Sequence, residues 1–124
     1  MSTARCGIVI FTADVERLSR FYEGVTSLRV VHRESTLTVM ASEEFELVVH
    51  SLVGEPSGSA SLPRLDAYVK PFFRVAALAE ARRRAAELGG AIRPAQEEWS
   101  ARGFRACEAS DPDGNPIQFR EELS

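Results

Sequence analysis

The sequence predicts an α+β fold in which one module, strand–helix–strand–strand–strand, is written twice within a single domain of 124 residues. Three observations carry this expectation. A helical period follows a β-branched run near the start, the same order recurs in the second half, and a Gly-, Pro- and Ser-rich stretch separates the two. The first module is placed at residues 5–52, the linker at 53–66 and the second module at 67–122.

Cys6 to Phe11 is apolar and β-branched, which suits a strand, and Thr12-Ala13-Asp14 supplies cap-forming chemistry. A helix follows, with Val15, Leu18, Phe21, Tyr22 and Val25 on one face and Glu16, Arg17, Ser19 and Arg20 on the other. Gly24 weakens its last turn. Three short β-rich runs come next, Leu28 to Arg33, Thr36 to Ala41 and Phe45 to His50. Gly54 to Arg64 has no period and no phosphate-binding signature, so it reads as a linker or loop. Tyr68 to Val75 then reads as a strand and Leu78 to Leu88 as a helix stopped by Gly89-Gly90. Laying Val15 on Leu78 also lays Leu18 on Ala81, Tyr22 on Ala85 and Val25 on Leu88, so the buried helix positions coincide. Strands around Ala91 to Arg93, Phe104 to Ala109 and Ile117 to Glu121 complete the repeat, with Trp99 in a loop-like stretch before the second of them. Asp111-Pro112-Asp113-Gly114-Asn115 closes a tight hairpin: proline sets φ at the first central position and glycine accepts φ > 0.

Composition excludes several classes. A formal charge of −3 has the wrong sign for a protein that lives on phosphates, so no nucleic acid is expected. No apolar run reaches the roughly 20 residues needed to span a bilayer, and no secretory leader is evident; a cytoplasmic protein with no membrane partner is expected. Cys6 and Cys107 form neither a CxxC pair nor a disulfide framework and read as buried free thiols. Arg82-Arg83-Arg84, with Glu80 four residues before Arg84, reads as a solvated helix face.

The tandem βαβββ order, the helix Asp14-Val15-Glu16-Arg17-Leu18-Ser19-Arg20-Phe21-Tyr22 and the hairpin Asp111-Pro112-Asp113-Gly114-Asn115 together resemble the vicinal oxygen chelate superfamily of glyoxalases, extradiol dioxygenases, fosfomycin-resistance transferases and bleomycin-resistance proteins. The resemblance covers nearly the whole chain. It implies a curled, mostly antiparallel sheet with a U-shaped cleft, often completed in a homodimer. It also implies metal-ligand positions on the first and last strands of each module, which fall here on Gly7, Glu46, Lys70 and Gln118. Only Glu46 is a good ligand. Glycine has no donor, lysine must lose a proton to coordinate, and glutamine is a weak neutral oxygen donor. The histidines do not rebuild the site: His50 lies four residues from Glu46, roughly 13 Å along a strand at about 3.3 Å per residue, against ~2 Å metal–ligand bonds. No metal and no cofactor are expected.

Alternation would place Gly7, Val9 and Phe11 on one wall of the cleft, Lys70, Phe72 and Arg74 on a second, Glu46, Val48 and His50 on a third, and Gln118 and Arg120 on a fourth. Trp99, the only tryptophan, either stacks on a ligand or packs beneath the preceding loop. Gly7 either leaves room for a ring or avoids a clash between strands. Lys70 opposite Glu46 suggests an ion pair across the cleft floor in place of the metal. Glu97 and Glu98 either favour a cationic ligand or are simply solvated. The expected function is metal-independent binding, by sequestration, of a small hydrophobic or aromatic compound, as in bleomycin resistance. The alternatives are a glyoxalase-like metal-dependent lyase, isomerase or dioxygenase, and a domain kept as an interaction or regulatory partner.

Overall fold

The computed structural model describes residues 6–52 and 69–123. The expected linker at 53–66 and Tyr68 lie outside them. The described elements are β1 (Cys6–Thr12), α1 (Val15–Val25), β2 (Arg29–Glu34), β3 (Leu37–Ala41), β4 (Phe45–Ser51), β5 (Phe72–Val75), α2 (Leu78–Glu87), β6 (Ala91–Ile92), a 3-10 turn (Ala95–Glu97), β7 (Trp99–Ala101), β8 (Phe104–Ser110) and β9 (Pro116–Glu122).

Three of the four helix ends have local causes, and the start of α2 has a distant one. Asp14 accepts a hydrogen bond from the Arg17 backbone N–H at 3.0 Å, capping α1, and Thr26 ends the helix by donating its own N–H to the Tyr22 carbonyl. The residue before α2 is Ala77, which has no capping side chain, and the Glu121 carboxylate of β9 accepts from Leu78 N–H instead at 2.7 Å. A carboxylate there also suits the positive end of the helix dipole. Gly89 at φ +93° turns the chain out of α2, so that Gly90 N–H reaches the Ala85 carbonyl and Gly89 N–H that of Ala86.

The strands form two sheets rather than one, in the orders β1-β4-β3-β2 and β5-β9-β8-β6, with β7 added on β8. In each, the first strand runs parallel to the last (β1 with β4, β5 with β9) and the remaining pairs are antiparallel. The expected α+β repeat of two βαβββ modules is therefore present, and β7 is an extra strand at the place where Trp99 was expected in a loop. Lys70 lies two residues ahead of β5 rather than within it.

One core serves both sheets. Leu18, Phe21, Tyr22 and Val25 of α1 join Met40, Leu47 and Val49 of the first sheet and Phe73, Ile117 and Phe119 of the second. Phe21 meets Phe119 at 6.5 Å between ring centroids, and Tyr22 meets Phe73 at 5.4 Å, so α1 stands against both modules. Full burial of side chains of this size contributes roughly 1.5–3 kcal/mol each.

The two motifs that carried the resemblance touch one another. Tyr22 of α1 donates its hydroxyl to Asp111 at 2.6 Å, and Arg17 pairs with Asp113 at 2.8 Å. Asp111 is buried and also accepts from the backbone N–H groups of Asp113 and Asn115 and from the Asn115 amide. Burial raises the Asp111 carboxyl above its ordinary pKa despite these donors, and burial, then the Asp111 charge, push the Tyr22 hydroxyl well up.

Four expectations about side chains are corrected. Ser19 is buried with α1's apolar residues, on the flank that faces Thr38 and the β2–β3 turn of its own sheet. Cys6 is exposed on the edge strand β1, while Cys107 is buried. Arg82 and Arg84 are not merely solvated: Arg82 donates to the Arg93 carbonyl and pairs with Glu98 at 2.7 Å, and Arg84 donates to the Gly24 carbonyl of α1. Glu80 pairs with Arg83, not Arg84.

Candidate functional site

Each sheet has one face packed on the core and one free of helix, and alternation assigns the candidate residues to the free faces. On the first sheet, register sets Gly7 beside Glu46, Val9 beside Val48 and Phe11 beside His50, so two of the expected walls are one surface. Val9 and Phe11 are 51% and 53% exposed. The Phe11 and His50 rings lie 5.5 Å apart. His50 Nδ1 donates to the Ser51 carbonyl at 2.8 Å, an acceptor-only partner, which leaves Nε2 as the ring's acceptor when neutral. Gly7 has a backbone reason: a Cβ there would fall 2.2 Å from the Glu46 carbonyl oxygen, so β1 and β4 approach too closely for any side chain without a shift.

The second free face is wired together by Glu108 of β8. Lys70 donates to its Oε1 at 2.6 Å, and Trp99 Nε1 and Gln118 Nε2 donate to its Oε2 at 3.2 and 3.1 Å. The proposed Lys70–Glu46 pair is thus replaced by Lys70–Glu108, because Lys70 precedes β5 and β5 belongs to the other sheet. Burial alone would raise the Glu108 carboxyl, but the hydrogen bonds from Lys70, Trp99 and Gln118 and the Lys70 charge outweigh it and hold its pKa below the ordinary value. Gln118 Oε1 in turn accepts from Arg120 Nε at 2.6 Å. The Arg120 guanidinium lies 3.6 Å from the centroid of Phe72 and 4.2 Å from that of Phe104. Trp99 meets Phe104 edge to face at 5.7 Å. Phe72 and Trp99 stay open to solvent, 53% and 40% exposed.

Glu97 and Glu98 are not a free acidic patch. Glu97 pairs with Arg93 at 2.8 Å and Glu98 with Arg82 at 2.7 Å, so neither the cation-attracting nor the simply solvated alternative describes them.

Between the modules, a hollow of about 610 Å³ is lined by Gly7, Leu28, Phe45, Lys70, Phe72 and Arg74, among others. Its size falls within the range of small-molecule pockets. It gathers three candidate residues, Gly7, Lys70 and Phe72. Val9, Phe11, Glu46, Val48 and His50 lie instead on the first free face, and Trp99 and Gln118 on the second. Sequence reasoning overlooked Glu108 and Phe104. The signal was present, since alternation from Phe104 through Ala106 to Glu108 puts them on the face of Gln118 and Arg120.

Paired βαβββ modules with a helix on one face of each sheet define the class. Residues 7–119 match the sequence model of the glyoxalase-like domain, and the chain belongs to that family. A search of the curated proteins finds no match. Among solved structures, the chain is similar to a glyoxalase/bleomycin resistance protein from Albidiferax ferrireducens, with a TM-score of 0.69 and 16% identity, covering 94% of this chain and 97% of that one. It is also similar to a glyoxalase/bleomycin resistance protein/dioxygenase family enzyme from Burkholderia phytofirmans (TM-score 0.66, 16% identity, 94% and 97% covered). A fosfomycin resistance protein from Mesorhizobium loti matches with a TM-score of 0.62 and 18% identity over 98% and 92% of the two chains. The fold is that of the vicinal oxygen chelate superfamily. No helix among the described residues is long and apolar enough to cross a membrane.

The four positions where the superfamily implies a metal do not fit one. Gly7 has no donor and no space for one, Lys70 is a cation already paired with Glu108, and Gln118 is held between Glu108 and Arg120. Glu46 alone of the four offers an anionic oxygen. Among the described residues, no three of His, Cys, Asp and Glu are grouped to hold an ion.

Proposed function

We propose that this protein binds a small hydrophobic or aromatic compound on the free faces of its sheets, without a resident metal, and acts by sequestration. One observation carries the reading: rings open to solvent, Phe11 on the first free face and Phe72 and Trp99 on the second, share those faces with Gly7, Lys70 and Gln118, whose side chains are chemically unsuited to a divalent ion. Such surfaces hold organic ligands by stacking and apolar contact and orient them with a few polar groups. The resistance proteins among the structural relatives make antibiotics a reasonable first class of ligand to screen.

A homodimer belongs to the same reading, because Val9, Phe11, Phe72 and Trp99 are apolar surface that a second copy would cover while closing two half-clefts into a cavity. The free thiols Cys6 and Cys107 suit a reducing, cytoplasmic compartment.

The test is metal analysis of protein purified without a chelating tag, followed by thermal unfolding with Ni²⁺, Zn²⁺, Mn²⁺, Fe²⁺ or EDTA and by Trp99 fluorescence titration against aromatic antibiotics. The expected result is less than a tenth of an equivalent of metal, an unchanged melting temperature and a saturable fluorescence change. An ion bound near one equivalent that raises the melting temperature would overturn the reading in favour of a metal-dependent enzyme.

A further inference from the structure

The second free face carries more positive charge than its carboxylates neutralise, although the whole chain has a formal charge of −3. Lys70 is matched by Glu108 and Arg74 by Glu122. Arg102 and Arg120 make no ion pair with a carboxylate among the described residues, yet both lie against Phe104, at 5.1 and 4.2 Å from its centroid. Glu108, the nearest acid, already accepts from Lys70, Trp99 and Gln118.

Arg120 is also held ready. β9 runs between β5 and β8, so its guanidinium packs against Phe72 from one neighbouring strand and Phe104 from the other. Gln118 takes up Nε, and the two terminal nitrogens have no partner among the described residues. A guanidinium with its stem and Nε fixed and its terminal N–H groups free is a preorganised receptor for an oxyanion, which it can bind through two parallel hydrogen bonds. Burial, then repulsion from Arg102, lowers the Arg120 pKa, a strain that a bound anion would relieve. Beside this fork, Phe72 and Trp99 offer exposed ring surface.

We infer that the ligand is an organic anion, an apolar or aromatic body bearing a carboxylate or phosphonate, whose oxyanion docks on the terminal nitrogens of Arg120 with Arg102 adding charge, while Phe72 and Trp99 take the body. This rests on the small-molecule-binding reading above and narrows it to one chemical class.

The experiment is isothermal titration calorimetry of the intact protein with phenylacetate, phenylphosphonate and the neutral near-isostere phenylacetamide. Either anion is expected to bind about tenfold or more tightly than the amide, as a charge-assisted pair would give. Comparison of the two anions tells carboxylate from phosphonate. Arg120→Gln should abolish the preference for the anions over the amide, and Arg102→Gln should reduce that preference by a smaller factor. Equal binding of amide and anions to the unaltered protein overturns this inference and leaves the proposed function standing, and that comparison requires no variant to fold. Absence of binding by all three compounds to millimolar concentration overturns both.

Discussion

The two modules share an order of elements and a core, yet they use their free faces and connecting turns differently. On the first face, the Phe11 and His50 rings meet at a tilt, and Glu46 makes no ion pair among the described residues. The second face is a connected set in which Glu108 collects three donors and Arg120 lies against two rings. The turns differ in the same sense. The β8–β9 hairpin sends Asp111 to Tyr22 of the other module's helix, whereas in the overlaid repeat the α2 counterpart of Tyr22 is Ala85, which has no polar group to offer. The element order repeats, and the connected polar network lies on one of the two copies. Local charge networks need several elements in register, so they differentiate repeats without altering the fold.

The sharpest break in this comparison comes at Asp111. Asp111→Ala removes the acceptor for the Tyr22 hydroxyl, two backbone N–H groups and the Asn115 amide in a buried site, and should cost about 3–5 kcal/mol in urea unfolding. Ser42→Ala, at the matching turn of the first module, should stay within about 0.5 kcal/mol. Equal effects would show that the asymmetry is energetically idle.

A smaller contrast separates β1 from the segment that leads into β5. Gly7→Ala forces a Cβ onto the Glu46 carbonyl and should destabilise by about 1–3 kcal/mol, as overpacking does. Lys70→Ala, at the position that the superfamily's pattern makes equivalent, removes a partly exposed ion pair and should cost no more than about 1 kcal/mol. Thermal or urea unfolding of the two variants checks the order.

The smallest expected effect is a pH dependence of opposite sign in two carboxylates. Glu108 has its pKa lowered in the folded state, so its contribution is present above the ordinary value of 4.5 and is lost as pH falls through the folded value. Asp111 has its pKa raised, so its contribution is present below the ordinary value of 3.8 and is lost as pH rises through the folded value. In stability measurements below pH 5, Glu108→Gln should therefore flatten the acid loss. Asp111→Asn should steepen it, by removing the group that gains on acidification. An unchanged slope in Glu108→Gln would mean that the Lys70, Trp99 and Gln118 contacts do not persist in solution.

Much of the fold was legible because its causes are local. The β-branched runs, the spacing of Leu18, Phe21, Tyr22 and Val25, the Gly89 stop and the Asp111–Asn115 turn each act within a few residues. Residues sharing a face were legible too, since strand alternation fixes them before any strand finds its partner. Ser19 was misplaced because a polar residue in a helix looks solvent-facing until the β2–β3 side of its own sheet covers that flank. Lys70 was matched to the wrong acid because β5 and β4 lie in different sheets, which spacing along the chain does not reveal.

By itself, the sequence determined the repeated α+β module, three of its four helix ends and the hairpin, since each depends on residue type and short-range geometry. Only the tertiary structure decided which charges meet. The division into two sheets, the close approach at Gly7, the collection of Lys70, Trp99 and Gln118 on Glu108 and the packing of Arg120 against Phe72 and Phe104 join residues far apart in the chain. The physical reason is that ion pairing and stacking act over a few ångströms of space, whereas sequence patterns record only distance along the backbone.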